Sequence, residues 1–211
     1  MKKIICLLIF VTAMTFIASM AACSVYAKST SEVIAHVETN YISENGLVLN
    51  FKNAQHPQYL SESIGLYMQY LLGAGDEARF RQQVNVLLEN FAHFSDENLF
   101  IKWEAGEAGN LEKITTVGAL IDDLRIAWVL NGAAKDFKEE YYAQISDKII
   151  SAIKETMIVN ERLVDFFDWH YNLPYDQLFM SYFIIEAMED FPAYVFEPLK
   201  DLYASPFFDE I

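Results

Sequence analysis

The chain has 211 residues, 53% of them hydrophobic, and its 30 acidic side chains outnumber 15 basic ones to give a formal charge of −15. This length fits one domain or at most two. Such a charge repels phosphate backbones, so the composition argues against a nucleic-acid-binding protein. Abundant Leu, Ile and Val, together with 15% aromatic residues, provide enough apolar surface for a sizeable core.

The chain begins with the pattern of an export signal. Lys2 and Lys3 precede an almost uncharged apolar run over residues 4–22, and small residues follow. Cleavage after Ala27 would leave residues 28–211 as the mature domain. That cleavage removes two of the 15 basic residues and none of the 30 acidic ones, so the formal charge becomes −17.

Met20-Ala21-Ala22-Cys23 offers an alternative to that cleavage. The segment resembles a bacterial lipobox, in which residues 1–22 form a lipoprotein signal and Cys23 is lipidated. Both alternatives predict an extracytoplasmic protein, either secreted or lipid-anchored at the bacterial cell surface. No second apolar segment of about 18 residues follows that could span a bilayer. Because the other cysteine, Cys6, lies within the signal, no internal disulfide is expected.

Apolar residues recur at helical spacing through most of the remaining chain. The pattern predicts a leading helix over residues 31–41, with Ser31 as its cap, and then antiparallel pairs of helices. The fold class predicted is therefore all-α. Turns are expected at Gly73-Ala74-Gly75 in the first pair and at Asn131-Gly132 in the second. The predicted pairs cover residues 60–71 with 80–91, 120–128 with 137–153, and 178–188 with 195–202.

Strand signals are few and short. Residues 47–49, 99–101 and 163–166 are predicted to be extended, each within a long connection between helices. Short turns join the helices of a pair, whereas long segments rich in Trp, Asp, Glu and His lead into the next pair. In a ring of helical hairpins this asymmetry puts the long connections on one rim, where a cleft can form.

Four motifs in a fixed order indicate a family. They are Ser61-Glu62-Ser63-Ile64-Gly65, Phe100-Ile101-Lys102-Trp103, the helix start over residues 119–127, and Ser181-Tyr182-Phe183. In this order they resemble the motifs of family 8 glycoside hydrolases, the group of endoglucanases, lichenases and chitosanases. The resemblance extends from Ile42 to about Phe183.

This resemblance implies a fold, a reaction and a set of site residues. The family fold is an (α/α)6 toroid, of which the hairpins of this chain would form a part. The family reaction is inverting hydrolysis of β-glycosidic bonds. Glu62 falls on the general acid of the family, and Asp123 matches the second aspartate of a family helix. We therefore expect Glu62 and Asp123 to be catalytic and Asp122 to contact substrate, provided that the two helix starts meet on one rim.

Each of these acids also has a structural interpretation. An acidic side chain in the first turn of a helix interacts favourably with the helix dipole, which accounts for Glu62 as well as catalysis does. Asp122 and Asp123 equally fit solvated acids at a helix start. Arg125 is expected to pair with Asp122 at i,i+3.

The predicted helices are fewer than a closed toroid needs. The resemblance places the catalytic base after Ser181-Tyr182-Phe183, beyond Ile211. We therefore expect either the front part of a longer protein or a reduced, open ring, and in both cases the chain alone would lack the base.

Side chains in the long connections are candidates for contact with sugars. Trp103, Trp169 and Tyr171 could stack on the C–H faces of sugar rings, with core packing as the competing interpretation. Asp165, Asp168 and His170 lie in the same segment as Trp169, which is therefore expected to make polar contacts with substrate, Asp168 above all. The sequence has no helix-spaced histidine pair, cysteine cluster or phosphate-binding glycine loop, so no metal and no cofactor are predicted.

Two classes of function fit these features. The first is a secreted glycoside hydrolase acting on a β-linked polysaccharide or exopolysaccharide by an inverting acid/base mechanism. The second is a noncatalytic extracellular helical domain that holds a glycan or another protein. The formal charge of −17 for residues 28–211 suits a cationic glucosamine polymer, which is a hypothesis about the substrate.

Overall fold

The computed structural model describes residues 31–52, 57–106 and 115–197. The chain divides into two units, Met1–Ile42 and Ser43–Ile211. In the first unit, residues 31–41 form helix α1 as predicted, although Ser31 lies within the helical residues and is not a cap before them. The predicted signal and Cys23 lie outside the described residues. All of the following concerns the second unit.

Helices α2 (Ser61–Ala74) and α3 (Glu77–Asn90) form the predicted first hairpin. Gly75 follows α2 with a φ of 68°, a left-handed conformation that glycine adopts without steric penalty. Asp76 caps α3, because its side chain accepts the backbone N–H of Arg79 at 3.1 Å. The apolar faces of the hairpin are fully buried at Ile64, Met68, Leu71, Phe80 and Leu87.

Helices α4 (Leu120–Asp136) and α5 (Glu140–Thr156) form the second hairpin, but the predicted position of its turn is wrong. Helix α4 continues through Asn131-Gly132, and the chain turns at residues 137–139. Gly132 instead allows α4 to approach α2, since a Cβ at this position would lie 2.9 Å from Cδ2 of Leu72. A glycine that permits close helix packing cannot be distinguished in sequence from a glycine that makes a turn.

Helices α2 and α4 also pack closely near their amino ends. A Cβ at Gly65 would lie 3.2 Å from Cγ1 of Ile126 and 3.6 Å from Cδ of Arg125. The absence of a side chain at Gly65 therefore lets the first two turns of each helix come together.

No helix in the described part of the chain is long and apolar enough to cross a membrane.

Short antiparallel strands occupy the long connections and are more numerous than the sequence predicts. Residues 99–101 lie in a strand, residues 163 and 166 belong to two different strands, and Leu49 forms only an isolated bridge to Tyr59. They are β1 (Tyr59–Leu60), β2 (Ala92–Ser95), β3 (Asn98–Ile101), β4 (Glu104–Ala105), β5 (Val117–Ala119), β6 (Ile158–Val159), β7 (Arg162–Leu163), β8 (Phe166–Asp168) and β9 (Leu173–Pro174). β1 pairs with β4, β2 with β3, β6 with β7, and β8 lies between β5 and β9. Because β1 runs directly into α2 and β5 directly into α4, these pairings fix where both helices begin.

The predicted helix over residues 178–188 does not form, so this prediction is wrong. The described chain there makes single 3-10 turns at Met180–Tyr182 and Ile185–Ala187. Phe179 and Ile185 are 52% and 56% exposed. An isolated helix is stabilised mainly by burying an apolar face, and these side chains are not buried by the described residues. The spacing of the apolar residues predicts a helix, but spacing alone does not show whether other residues bury the apolar face of that helix.

Candidate active site

The first turns of α2 and α4 meet, and they carry the acids predicted from the sequence. Ser61, the first residue of α2, donates from Oγ to Oδ2 of Asp122 at 2.7 Å. Both residues are buried, whereas Glu62, the next residue of α2, is exposed. The expectation that these two helix starts come together is confirmed by this contact.

Trp103 joins the two helix starts through its backbone. Its carbonyl accepts the N–H of Ser61 at 3.0 Å, and its N–H donates to the carbonyl of Val117 at 2.9 Å. The Trp103 side chain is 38% exposed. The backbone of Trp103 therefore holds its partly exposed indole at the junction of α2 and α4, where Glu62 and Asp122 lie. Its predicted contact with substrate stays a prediction.

Asp122 is held between a hydroxyl and a guanidinium. Arg125 donates from Nη1 to Oδ1 of Asp122 at 3.2 Å, which is the i,i+3 pair expected from the sequence. Burial raises the pKa of Asp122, the Ser61 hydrogen bond and the Arg125 charge oppose that rise, and the charge of Glu62 adds to it. The hydrogen bond from Ser61 therefore fixes the carboxyl group of Asp122 beside the residue that precedes Glu62.

Asp123 lies in the protein core. It is 3% exposed, and its Oδ1 has no hydrogen-bond partner within the described ranges. A Cβ at Gly118 of β5 would lie 3.0 Å from Oδ2 of Asp123 and 3.2 Å from the carbonyl oxygen of Ile101. Burial, and to a smaller extent the charge of Asp122, raises the pKa of Asp123 well above its usual range. The catalytic role expected for Asp123 stays a prediction.

We expect Gly118→Ala to lower the free energy of unfolding by about 1–3 kcal/mol. The added methyl would meet the carboxyl of Asp123 and a backbone carbonyl of β3, which cannot move aside without disturbing that strand. Gly73→Ala is the matched control, because nothing lies within 4 Å of its Cβ position and alanine is favoured in a helix interior by about 1 kcal/mol. Urea unfolding measures both variants. A Gly118→Ala protein as stable as the wild type would contradict this close packing.

Asp165 and Tyr182 were not among the catalytic residues predicted from the sequence, and hydrogen bonds connect both to the start of α4. Asp165, between β7 and β8, is fully buried, and its Oδ2 has no hydrogen-bond partner among the residues described. Tyr182 lies half-buried in a 3-10 turn. Burial raises the pKa of Tyr182, and the charges of Asp165, Asp122 and Glu62 raise it further. The Tyr182 ring lies beside Phe166 and Phe179, with ring centroids 6.4 and 5.5 Å away.

The sequence contains a signal for both residues. Tyr182 is the central residue of the motif Ser181-Tyr182-Phe183, and Asp165 is the one acid within the apolar run Leu163-Val164-Asp165-Phe166. A charged residue inside such a run requires an explanation when the run is buried.

Asp168 makes its observed hydrogen bonds within the protein. Its Oδ1 accepts the hydroxyl of Thr116 at 2.9 Å and the backbone N–H groups of His170 and Tyr171 at 2.9 and 3.2 Å. These bonds stabilise the turn that follows β8. The contact with substrate predicted for Asp168 stays a prediction.

The aromatic candidates differ in how accessible they are. The ring of Trp169 stacks on His93, with centroids 5.4 Å apart and planes inclined by 8°, and lies 5.5 Å from the ring of Phe100. The stack covers one face of this indole. Tyr171 is 73% exposed and packs edge-on against His170 with a centroid distance of 4.7 Å. Sugar binding by Trp169 and Tyr171 stays a prediction.

Most glycoside hydrolases use a pair of carboxyl groups, and here the amino ends of two helical hairpins bring carboxyl groups together. Residues 9–166 match the model of glycosyl hydrolases family 8, so the chain belongs to this family. The family resemblance is thereby confirmed; the matched range includes three of the four motifs and ends before Ser181-Tyr182-Phe183.

Similar proteins agree with this assignment. The crystal structure of PssZ from Listeria monocytogenes is 38% identical, with a TM-score of 0.71 over 79% of this chain and 52% of PssZ. The endo-β-1,4-glucanase CMCax from Acetobacter xylinum is 19% identical and supports the fold, with a TM-score of 0.63 over 88% of this chain and 56% of CMCax.

A curated relative is YdaJ of Bacillus subtilis strain 168, which carries the name of a lipoprotein. It is 33% identical over 129 residues, or 61% of this chain and 33% of YdaJ. The chain therefore spans about half the length of the two solved structures and a third of YdaJ.

Proposed function

We propose that the protein is an inverting glycoside hydrolase that acts outside the cytoplasm on a β-linked polysaccharide. The observation that carries this proposal is the 2.7 Å contact between Ser61 and Asp122, which brings the exposed Glu62 and a fixed second carboxyl to one place. Family membership supports the reaction class, and the name of CMCax supports a β-linked substrate. The lipoprotein name of YdaJ supports a surface location and lipidation at Cys23.

In this proposal Glu62 protonates the leaving glycosidic oxygen. Among the acids around the junction it is the one exposed to solvent, so a bound sugar chain can reach it. The transition state of glycoside hydrolysis resembles an oxocarbenium ion, and a nearby carboxylate stabilises its positive charge. Asp122, oriented by Ser61 and Arg125, is suited to that task.

The sequence pairs Glu62 with Asp123, and the geometry gives a reason to pair it with Asp122. Asp123 is buried in contact with β5, whereas Asp122 is hydrogen-bonded to Ser61, the residue before Glu62. We therefore propose Asp122 as the carboxylate that faces the sugar and Asp123 as a buried structural carboxyl. The water-activating base, which inverting enzymes hold about 6.5–9.5 Å from the acid, would follow Ser181-Tyr182-Phe183, outside the described residues.

The substrate proposed is a polymer that contains glucosamine. A formal charge of −17 for residues 28–211 attracts cationic chains and repels anionic ones. Trp103, Trp169 and Tyr171 would supply apolar faces for sugar rings, and Asp168 a polar contact.

Sugar release from chitosan, mixed-linkage β-glucan and a deacetylated exopolysaccharide tests the proposal. We expect hydrolysis of the cationic chains to be fastest, and proton NMR to show the α-anomer as the first product because the reaction inverts the anomeric centre. A retained β-anomer would contradict the mechanism, and equal rates on neutral and cationic chains would contradict the substrate. The assay uses the protein as its cells produce it, so that a base beyond Ile211 would be present. Binding of these polymers by that protein without any hydrolysis would support the noncatalytic glycan-binding alternative.

A further inference from the structure

We propose that Asp165 is a positioning residue that holds the turn over residues 179–182, and with it Tyr182, at the start of α4. This inference rests on the proposed function for its catalytic consequence. Its structural part can be tested separately.

Asp165 ties two distant segments together through three hydrogen bonds. Its carbonyl accepts the N–H of Leu120, the first residue of α4, at 2.8 Å. Its N–H donates to the carbonyl of Gln177 at 3.0 Å, and its Oδ1 accepts the N–H of Phe179 at 2.8 Å. The side chain of Asp165 thus attaches the 3-10 segment to a residue that is itself bonded to the helix carrying Asp122.

The position of Phe179 determines that of Tyr182. The N–H of Tyr182 donates to the carbonyl of Phe179 at 2.9 Å, and their ring centroids are 5.5 Å apart. Phe179 is 52% exposed, so burial gives this turn little support. A carboxyl oxygen fixed by β7 and β8 is therefore the main anchor that we identify for the turn.

The acidity of Asp165 points to more than a structural role. Its carboxyl is fully buried and leaves Oδ2 without a partner in the described part of the chain, which is costly for an ionised group. An asparagine could accept the same N–H of Phe179 without burying a charge. The negative charge of Asp165 raises the pKa of Tyr182. Burial has the largest effect on that pKa, followed by the charges of Asp165, Asp122 and Glu62. Removing the charge of Asp165 should therefore lower the pKa of Tyr182, which gives the role of Asp165 a readout that does not depend on activity.

The test is a titration of Tyr182 in protein that carries ¹³Cζ-labelled tyrosine, with Tyr182→Phe to assign its resonance among the 12 tyrosines. Asp165→Asn keeps an acceptor for Phe179 and removes the charge, so we expect the pKa of Tyr182 to fall. Asp165→Ala also removes the acceptor. In that variant the Tyr182 signal should move towards that of a free tyrosine, and amide exchange at Phe179 should become about tenfold faster.

Asp176→Asn is the matched control, because Asp176 is an exposed acid three residues before Phe179 and does not act on the pKa of Tyr182. A Tyr182 titration that is unchanged in both Asp165 variants would overturn the inference. Because Asp165→Asn preserves the hydrogen bond, it keeps the test informative if Asp165→Ala does not fold.

Kinetics separates this inference from the proposed function. If the protein hydrolyses a polysaccharide, Asp165→Ala should lower kcat and leave KM nearly unchanged, with Asp165→Asn intermediate. Hydrolysis that both variants retain in full, with an unchanged Tyr182 titration, would reject the role of Asp165 and leave the proposed function intact. Tyr182 shifts without any hydrolysis in the wild type would support the positioning role and count against the proposed function.

Discussion

Glu62→Gln is expected to lower the rate of polysaccharide hydrolysis by about 10²–10⁴-fold, the usual contribution of a positioned general acid. The amide keeps the shape of the side chain and loses the proton that the leaving oxygen needs. Stability should change by less than about 1 kcal/mol, because Glu62 is exposed and its interaction with the helix dipole is worth no more than that. Initial rates measure the effect, and calorimetric titration with oligosaccharides checks that binding persists.

Glu89→Gln is the control for this variant. Glu89 is an exposed glutamate on α3, so its replacement makes the same chemical change away from the proposed site. A Glu62→Gln protein as active as the Glu89→Gln protein would reject Glu62 as the acid. If neither the wild type nor Glu62→Gln hydrolyses glycans while both bind them equally, the noncatalytic alternative gains support.

The meeting of α2 and α4 could be predicted because the sequence contains both helix starts as family motifs. The hairpin α2–α3 was also predictable, since Gly75 and Asp76 are a local stop and a local cap whose effects depend on neighbours in sequence. A stop and a cap of this kind need only a few adjacent residues. The hairpin therefore lies where the sequence predicts it.

The choice between Asp122 and Asp123 could not be predicted in the same way. Adjacent residues on a helix point about 100° apart, so one of the two faces Ser61 and the other faces Gly118. Which residue faces which depends on how α2 and α4 cross. That crossing is set by the close approach at Gly65, which involves residues about 60 positions apart in the chain.

Residues brought in by long-range pairing were the hardest to recognise. Asp165 contacts α4 through its hydrogen bond to Leu120, next to the pairing of β5 with β8. Its side chain contacts Phe179, and Phe179 is hydrogen-bonded to Tyr182. Trp169 presents the same difficulty. From sequence alone, a tryptophan in a loop could equally bind a sugar ring or pack against another side chain of the protein. The position of His93 on β2 places a ring against one of its faces.

The pH dependence of stability provides the second large expected effect, at Asp123. Its pKa in the folded protein is raised well above 3.8 by burial, so the folded state binds the proton more tightly than the unfolded state does. The stabilisation is complete below about pH 4 and is lost as the pH rises towards the folded pKa. Within that window the loss approaches about 1.4 kcal/mol per pH unit.

Asp123→Asn should remove this loss, because a buried amide does not ionise. We expect the variant to match the wild type near pH 4 and to become progressively more stable than it until the pH reaches the folded pKa, as measured by urea unfolding at several pH values. Asp147→Asn, at an exposed acid of α5, should reproduce the pH dependence of the wild type. Activity discriminates between the two assignments of Asp123, since a structural carboxyl predicts that Asp123→Asn retains hydrolysis. Loss of hydrolysis in Asp123→Asn, with the pH dependence of the wild type, would restore the catalytic pairing of Glu62 with Asp123 that the family motifs favour.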